Sequence, residues 1–471
     1  MKRWRRARAA KEEQVRSKRI LVALMAAALV VAGCGREGGS TETEGAPAPA
    51  VSGDFGDLTG ICGPGDAGGV TSQGVTDTQI QVGVFSDMGF TKNPEFDNAA
   101  KVFTSWCNEA GGINGRDLTY KIRDSKLTEV RQRMLDACRE DFFLVGGGSA
   151  LDALGVKDRL SCLLPEFPGQ VAQIANIGSD LQLAVGGSAA ENVNPYTGYQ
   201  QWLIKDEYPD SAKAIGIING DSPVTKAMGP KMVESLQADG AQVVYDELYP
   251  ASGVADWTPY AQAIKSKNVR GLIFFGDFRS LAKLEEVLTG MDYKLDWIDA
   301  NANAYTPDFI ELAKTSLNTQ NNYADLSGLA PLDAAGQVPA VQQVLDLYER
   351  YAPDAAITFP ALKAFQAWAL FAKSATACGD DLTRSCVFRT AQKETAWTGG
   401  GLLAPVDLST PLSEQPRCFN VQKATPEGWQ GVDFGATDGV FRCGVSPYRY
   451  ATEVGAPLTL ADVGKTIDDL E

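Results

Sequence analysis

The chain predicts an α/β fold in two lobes, each built on its own largely parallel sheet. Three observations lead there. From residue 75 strand-like segments alternate with helix-like ones, the pattern of βαβ units. The alternation restarts after about residue 195. At 471 residues the chain is too long for one simple core and suits two.

The first set begins with Ile80, Val82 and Val84, which alternate as in a half-buried strand. A helix-like stretch over 96–110 closes at Gly111-Gly112. Residues 117–123 read as a strand, 128–140 as a helix and 142–145 as a buried strand. Gly146-Gly147-Gly148 follow, then a helix over 150–159 and a short strand over 162–164. The second set opens with a helix over 196–206 and a strand at Ala214–Asn219. The next helix ends at Asp239-Gly240, a natural C-cap, and Pro230 starts or kinks it. Strands over 242–248, 270–275 and 295–299 enclose helices over 257–267 and 279–289. A long helix over 360–377 carries Ala361, Ala364, Phe365, Trp368 and Phe371 on one face. Core packing is the first reading of that face and an aromatic ligand box the second. Residues 380–447 are turn-rich, and the runs T-P-E-G-W-Q-G and A-T-D-G-V-F suggest a hairpin.

The first 19 residues hold nine Lys/Arg, and residues 20–33 (ILVALMAAALVVAG) are apolar. Fourteen helical residues rise about 21 Å, short of the roughly 30 Å hydrocarbon core. Residues 1–33 therefore read as a secretory signal, an uncleaved anchor helix being the alternative. Val30-Val31-Ala32-Gly33-Cys34 resembles the lipobox of bacterial lipoproteins, whose Cys takes a lipid and becomes the N-terminus. Arg5-Arg6 lacks the rest of a twin-Arg motif, so the export route stays open. Residues 35–60 are rich in Gly, Ser, Thr, Glu, Ala and Pro, so 34–74 is expected to be the lipidated Cys and a flexible tether.

The formal charge is −16, and −23 for the residues after the leader, which argues against a nucleic-acid partner. There is no histidine, which removes Ser-His-Asp and Cys-His catalysis and every His-ligated metal site. G-x-S-x-G fails at Ser149 and Ser188, and Gly220-Asp221-Ser222 has no base to activate it. No carboxylate pair is brought together by spacing, C-x-x-C is absent, and neither a cofactor nor a metal is expected. Setting Cys34 aside leaves eight cysteines in an exported chain, which reads as disulfides.

The strongest local motif is Val145-Gly-Gly-Gly148-Ser149-Ala150, after a strand and before an expected helix. Glycines there let backbone N–H groups approach a ligand, and a helix start favours an anion. The equal alternative is that Ser149 only caps its helix. Asp221, Asp277, Asn301 and Asn303 each lie just past a strand of the second set, where α/β sheets bind ligands. Phe90, after the first strand, is either an apolar ligand wall or packing under its loop.

From about 75 to 445 the order of segments resembles the branched-chain amino acid (leucine/isoleucine/valine-type) solute-binding proteins of ABC importers. The marks are GVTDTQIQVGVFSD at 74–87, NEAGGINGRDL at 108–118, the Gly-Gly-Gly-Ser turn, AIGIINGD at 214–221 and VRGLIFFGD at 269–277. The resemblance implies a type I periplasmic binding fold. Two Rossmann-like lobes (75–189 with 320–402, and 190–319 with 403–447) are joined by three crossovers, a C-terminal tail (448–471) follows, and a hinge closes on the ligand. It places Ser149, with Gly148 and Ala150, at the turn that binds a ligand carboxylate. Glu166 and Phe167 stand where a second hydroxyl is expected. Asn301 and Asn303 stand where an acid meets the ligand's ammonium, with Asp277 as substitute; these departures point away from a branched-chain amino acid. The implied function is a monomeric, lipid-anchored protein on the extracytoplasmic face. It passes a small polar or amphipathic solute to an ABC permease with ATPase subunits. A solute-sensing lipoprotein signalling to a membrane partner, and then a His-independent enzyme, are the rivals.

In a doubly wound lobe the helix over 128–140 ends near the strand at 162, so Cys138 pairs with Cys162. The helix ending at Cys107 finishes at the same edge, where the incoming chain carries Cys62. Cys378 and Cys386 close a local loop, and Cys418 and Cys443 staple the last part.

Overall fold

The computed structural model describes residues 51–186, 191–222, 225–250, 252–451 and 455–470. The expected leader, Cys34 and the first part of the tether lie outside the described residues.

Two sheets organise the chain. In the first, β1 (Gln79–Ser86) is flanked by β2 (Asp117–Asp124) and β3 (Leu144–Val145), and β4 (Glu166–Phe167) lies beyond β3; all pairs are parallel. Helices α1 (Glu95–Glu109) and α2 (Val130–Glu140) make the crossovers. The alternation in β1 buries Ile80, Val82 and Val84 completely. In the second, β5 (Ile215–Asp221) lies between β6 (Val243–Pro250) and β7 (Gly271–Phe275), followed by β8 (Trp297–Asp299) and β9 (Asn322–Ala324) in parallel. Helices α3 (Met228–Ala238), α4 (Thr258–Ser266) and α5 (Phe278–Gly290) link the first four strands of this set. The expected hairpin forms between β10 (Gln422–Thr425) and β11 (Gly428–Gly431), and β10 adds antiparallel to β9. Pro230 sits in the first turn of α3, where its missing N–H costs nothing.

Helix α6 (Phe359–Cys378) is buried along nearly its whole length in the first core. Trp368 stacks on Phe103 with ring centroids 5.8 Å apart, the packing reading of its aromatic face. The four disulfides join Cys62 to Cys107, Cys138 to Cys162, Cys378 to Cys386 and Cys418 to Cys443, the same pairs expected from the chain's path.

Several expectations change. From Val51 onward the segment read as tether is part of the folded body. Phe55 is fully buried, 5.1 Å from the Phe365 ring, and Cys62 is tied to Cys107. A few large groups among many small ones suffice to dock it, which average composition hides. The helix expected over 150–159 is a turn, a single 3-10 turn at Asp152–Leu154 and a short helix at Val156–Ser161. Gly155 divides them. The strand expected over 162–164 is a turn with Leu163 at φ 54°, and the strand is β4, two residues later. The helix over 196–206 is α-helical at Thr197–Gln201 and π-helical at Trp202–Glu207. Strand β9, expected in the first lobe, pairs with β8 in the second sheet. Leu402, Leu403 and Leu408, at or beyond the expected boundary, are buried in the first core.

Residues 455–470 also dock. The N–H of Leu458 donates to the Ala175 carbonyl at 2.9 Å, and the N–H of Leu460 to Asp180 at 2.6 Å. Among the described residues no helix is long and apolar enough to cross a membrane.

Candidate functional site

The carboxyl ends of β1, β2 and β3 converge, and their loops bring Asp87, Ser125 and Ser149 together. Ser149 Oγ donates to the Asp87 carboxylate, 3.1 Å from Oδ1 and 3.2 Å from Oδ2. The Ala150 N–H donates to Oδ2 at 2.7 Å and the Leu127 N–H to Oδ1 at 3.0 Å. Ser125 Oγ donates to Oδ1 through a short hydrogen bond and lies 3.2 Å from Ser149 Oγ. All three side chains are buried. The donor turn read in the sequence therefore exists, but the acceptor on it is the chain's own Asp87. No helix begins at Ala150, so no helix dipole is aimed there.

The three glycines are required by packing. A Cβ on Gly146, which has φ 66°, would fall 2.6 Å from the Trp368 ring nitrogen, and one on Gly147 only 2.3 Å from the Phe85 nitrogen. Gly148 gives its N–H to the Phe85 carbonyl at 3.0 Å, and a Cβ there would press on Gln170.

Of the other sequence candidates, Glu166 lines a small pocket together with Gly148 and Ser149. Glu166 lies on β4, buried, and accepts from Gln182 at 3.0 Å with Arg159 3.7 Å away. Phe90 is 63% exposed in a one-turn helix and does not pack under its loop. Asp221 is exposed and pairs with Lys226 at 3.0 Å. Asp277 caps α5 through the Arg279 N–H. Asn301, at φ 66°, donates its N–H to Asp299 and accepts that of Asn303, both at 3.0 Å.

Two features escaped the sequence. One is a set of buried acids. Burial pushes Asp299 up to about 7 and Asp325 up to about 8 at the ends of β8 and β9, and Asp152 up to about 6 beside β4. Asp152 nonetheless accepts from the Ala172 and Gln173 N–H groups at 2.8 and 3.0 Å. The other is a cavity of about 900 Å³, one of whose lining residues, Gln170, gives its N–H to the Gly147 carbonyl of the strand-end turn. Ile174, Leu183, Phe388 and Leu460 give it apolar walls, and Lys363 and Arg449 are among its charges. Burial lowers Lys363 to about 8. No sequence signal marks this cavity, because its walls come from several distant stretches.

A family model described as "Periplasmic binding protein" matches residues 79–428, well over half the chain. The chain belongs to the periplasmic binding protein family. Binding proteins of this family hold a solute without transforming it. No curated protein matches the sequence. Among solved structures, a fatty acid ABC transporter substrate-binding protein from Thermomonospora curvata is similar at TM-score 0.64 and 16% identity, over 83% of this chain and 97% of that one. A leucine binding protein from Thermotoga maritima gives 0.60 at 12% identity, over 75% and 97%. A branched-chain amino acid transporter substrate binding protein from Streptococcus pneumoniae, in complex with isoleucine, gives 0.59 at 15% identity, over 75% and 99%. At these identities the likeness is one of fold: parallel α/β sheets of the type I kind.

Proposed function

We propose that this binding protein is exported, held on the extracytoplasmic face by a lipid on Cys34, and delivers an amphipathic solute to an ABC permease with its ATPase subunits. The observation that carries the solute class is the cavity of about 900 Å³ with apolar walls beside the strand ends. Its volume suits a ligand with a sizeable apolar body, and the charges of both signs in its lining, Lys363 and Arg449 with Asp180 and Glu191, suit a polar head. The similarity to a protein named for fatty acids supports the same class. The basic leader, the apolar run and the Cys34 context support the anchor.

The test is a series of straight-chain carboxylates and their amides of graded length, with isoleucine as comparison, in thermal-shift and calorimetric titrations. Each buried CH₂ contributes about 0.8 kcal/mol, so affinity should rise roughly fourfold per added carbon until the cavity is filled. Tight binding of isoleucine with no gain from chain length would sink the reading. For the anchor, Cys34→Ala should release the protein from membranes or leave its precursor uncleaved; unchanged processing and partition would count against it.

A further inference from the structure

We propose that Asp87 is a built-in occupant of the anion-binding turn and a specificity-determining residue: it closes the strand-end subsite to a solute carboxylate, so that capture runs through the adjoining cavity. The inference rests on the solute-binding reading above and narrows it.

The donors form a complete set. Two hydroxyls, from Ser125 and Ser149, and two backbone N–H groups, from Leu127 and Ala150, converge on one carboxylate with no cationic side chain among them. A carboxylate has about four lone-pair sites, and this one is saturated. These four donors are committed to Asp87, so an incoming carboxylate would compete for them and meet a like charge at close range.

The backbone holds Asp87 in place. Its carbonyl accepts from the N–H groups of Phe90 at 2.8 Å and Thr91 at 2.9 Å, which fixes the backbone from which the side chain reaches the turn. The receiving loop is strained for the purpose. Lys126 and Leu127 are consecutive non-glycine residues at φ 46° and 75°, a left-handed pair that aims the Leu127 N–H at the carboxylate. Such strain persists only where surrounding contacts enforce it. The Leu127 N–H faces the Asp87 carboxylate, while the Lys126 N–H before it bonds Asp124 at 3.1 Å.

The test empties the turn. In Asp87→Ala the four donors lose their acceptor while their loops remain. The melting temperature should fall, and sodium acetate or formate should restore it in a concentration-dependent way that the same ionic strength of chloride does not reproduce. The parent protein should show no such response. Asp87→Asn, which keeps the space filled, should not be rescued. Failure of acetate and formate to stabilise folded Asp87→Ala would overturn the proposal. A second measurement uses the parent fold: Ser149→Ala should change the affinity of the best ligand from the acyl series by less than about twofold. A loss of tenfold or more would mean that Ser149 holds the solute, and would also overturn it. Acetate rescue and the chain-length series are read separately, so failure of the cavity reading is distinguishable from failure of the Asp87 assignment.

Discussion

Arg116 has no solvent exposure, and its partners are all carbonyls. Nε donates to Thr76 at 3.1 Å, Nη2 to Gly68 and Gly69, and Nη1 reaches Gly379 at 3.5 Å. It fastens the incoming segment before β1 and the end of α6 to the turn that starts β2. Gly112, Asn114 and Gly115 take left-handed conformations so that this turn can form, and a Cβ on Gly112 would strike the Arg116 carbonyl at 2.2 Å. We expect Arg116→Met, which fills the volume but leaves the carbonyls unpaired, to cost roughly 3 kcal/mol or more. Urea midpoints at unchanged slope should show it, and solute affinity should stay constant. A loss under about 1 kcal/mol would mean that water replaces the guanidinium. The A-G-G-I-N-G-R run is one of the marks that carried the resemblance, and the physics it encodes is architectural: a tight turn around a buried cation. Ser149 shows the opposite limit. Its place after a strand revealed a donor turn, but nothing local revealed the acceptor, 62 residues earlier in the chain. The strand-end rule applied to β1 reaches Asp87 as directly as it reaches Phe90; side-chain chemistry distinguishes them, and only contact decides.

At the scale of elements, helices and strands with clean periodicity were legible, and those set by side-chain competition were not. The stretch after the triple glycine reads as helix, yet Asp152 turns its carboxylate to the N–H groups of Ala172 and Gln173 and Gly155 interrupts the run. Long-range bonding there overrides propensity. The disulfides were legible because helix ends and strand starts meet at one edge of a doubly wound sheet. Their contributions should differ with the loops they close. Cys62–Cys107 spans 45 residues and Cys378–Cys386 spans 8. In the chain-entropy account these correspond to about 4 and about 2.5 kcal/mol at 25 °C. Replacing Cys62 and Cys107 together by Ser should therefore lower stability more than replacing Cys378 and Cys386, read from denaturant midpoints of the two double variants. The reverse order would show that the short link, which fastens α6 to the helix at Arg384–Ala391, acts through native packing.

For the whole molecule, the two-sheet division was legible from the alternation of segments, whereas the docking of residues 51–74 and 455–470 was not, since it depends on scattered contacts with distant surfaces. The same holds for the acids enclosed when the chain closes up. Glu285 on α5 has no exposed surface; one oxygen accepts from Asn322 at 2.8 Å and the other has no partner. Burial pushes it up to about 8, beside Asp325 at about 8, Asp299 at about 7 and Asp152 at about 6. Unfolded, these groups release their protons near pH 4. Between there and their folded values the native state holds more protons than the unfolded one, so stability falls as pH rises. The contribution is full below about pH 4 and is lost as pH passes through 6 to 8. Exposed carboxylates held low by hydrogen bonds, such as Asp54 and Asp407, act in the opposite sense only in more acidic solution. Lys363, lowered to about 8, opposes the trend only above that value. Stability from urea unfolding should therefore decline steadily from pH 5 to pH 8. Each acid that titrates over the interval contributes a slope of up to about 1.4 kcal/mol per pH unit. Glu285→Gln, which keeps the shape and removes the titrating proton, should make that decline shallower throughout the interval. A pH-independent plateau from 5 to 8 in the parent would show that these carboxyls are already ionised in the folded protein.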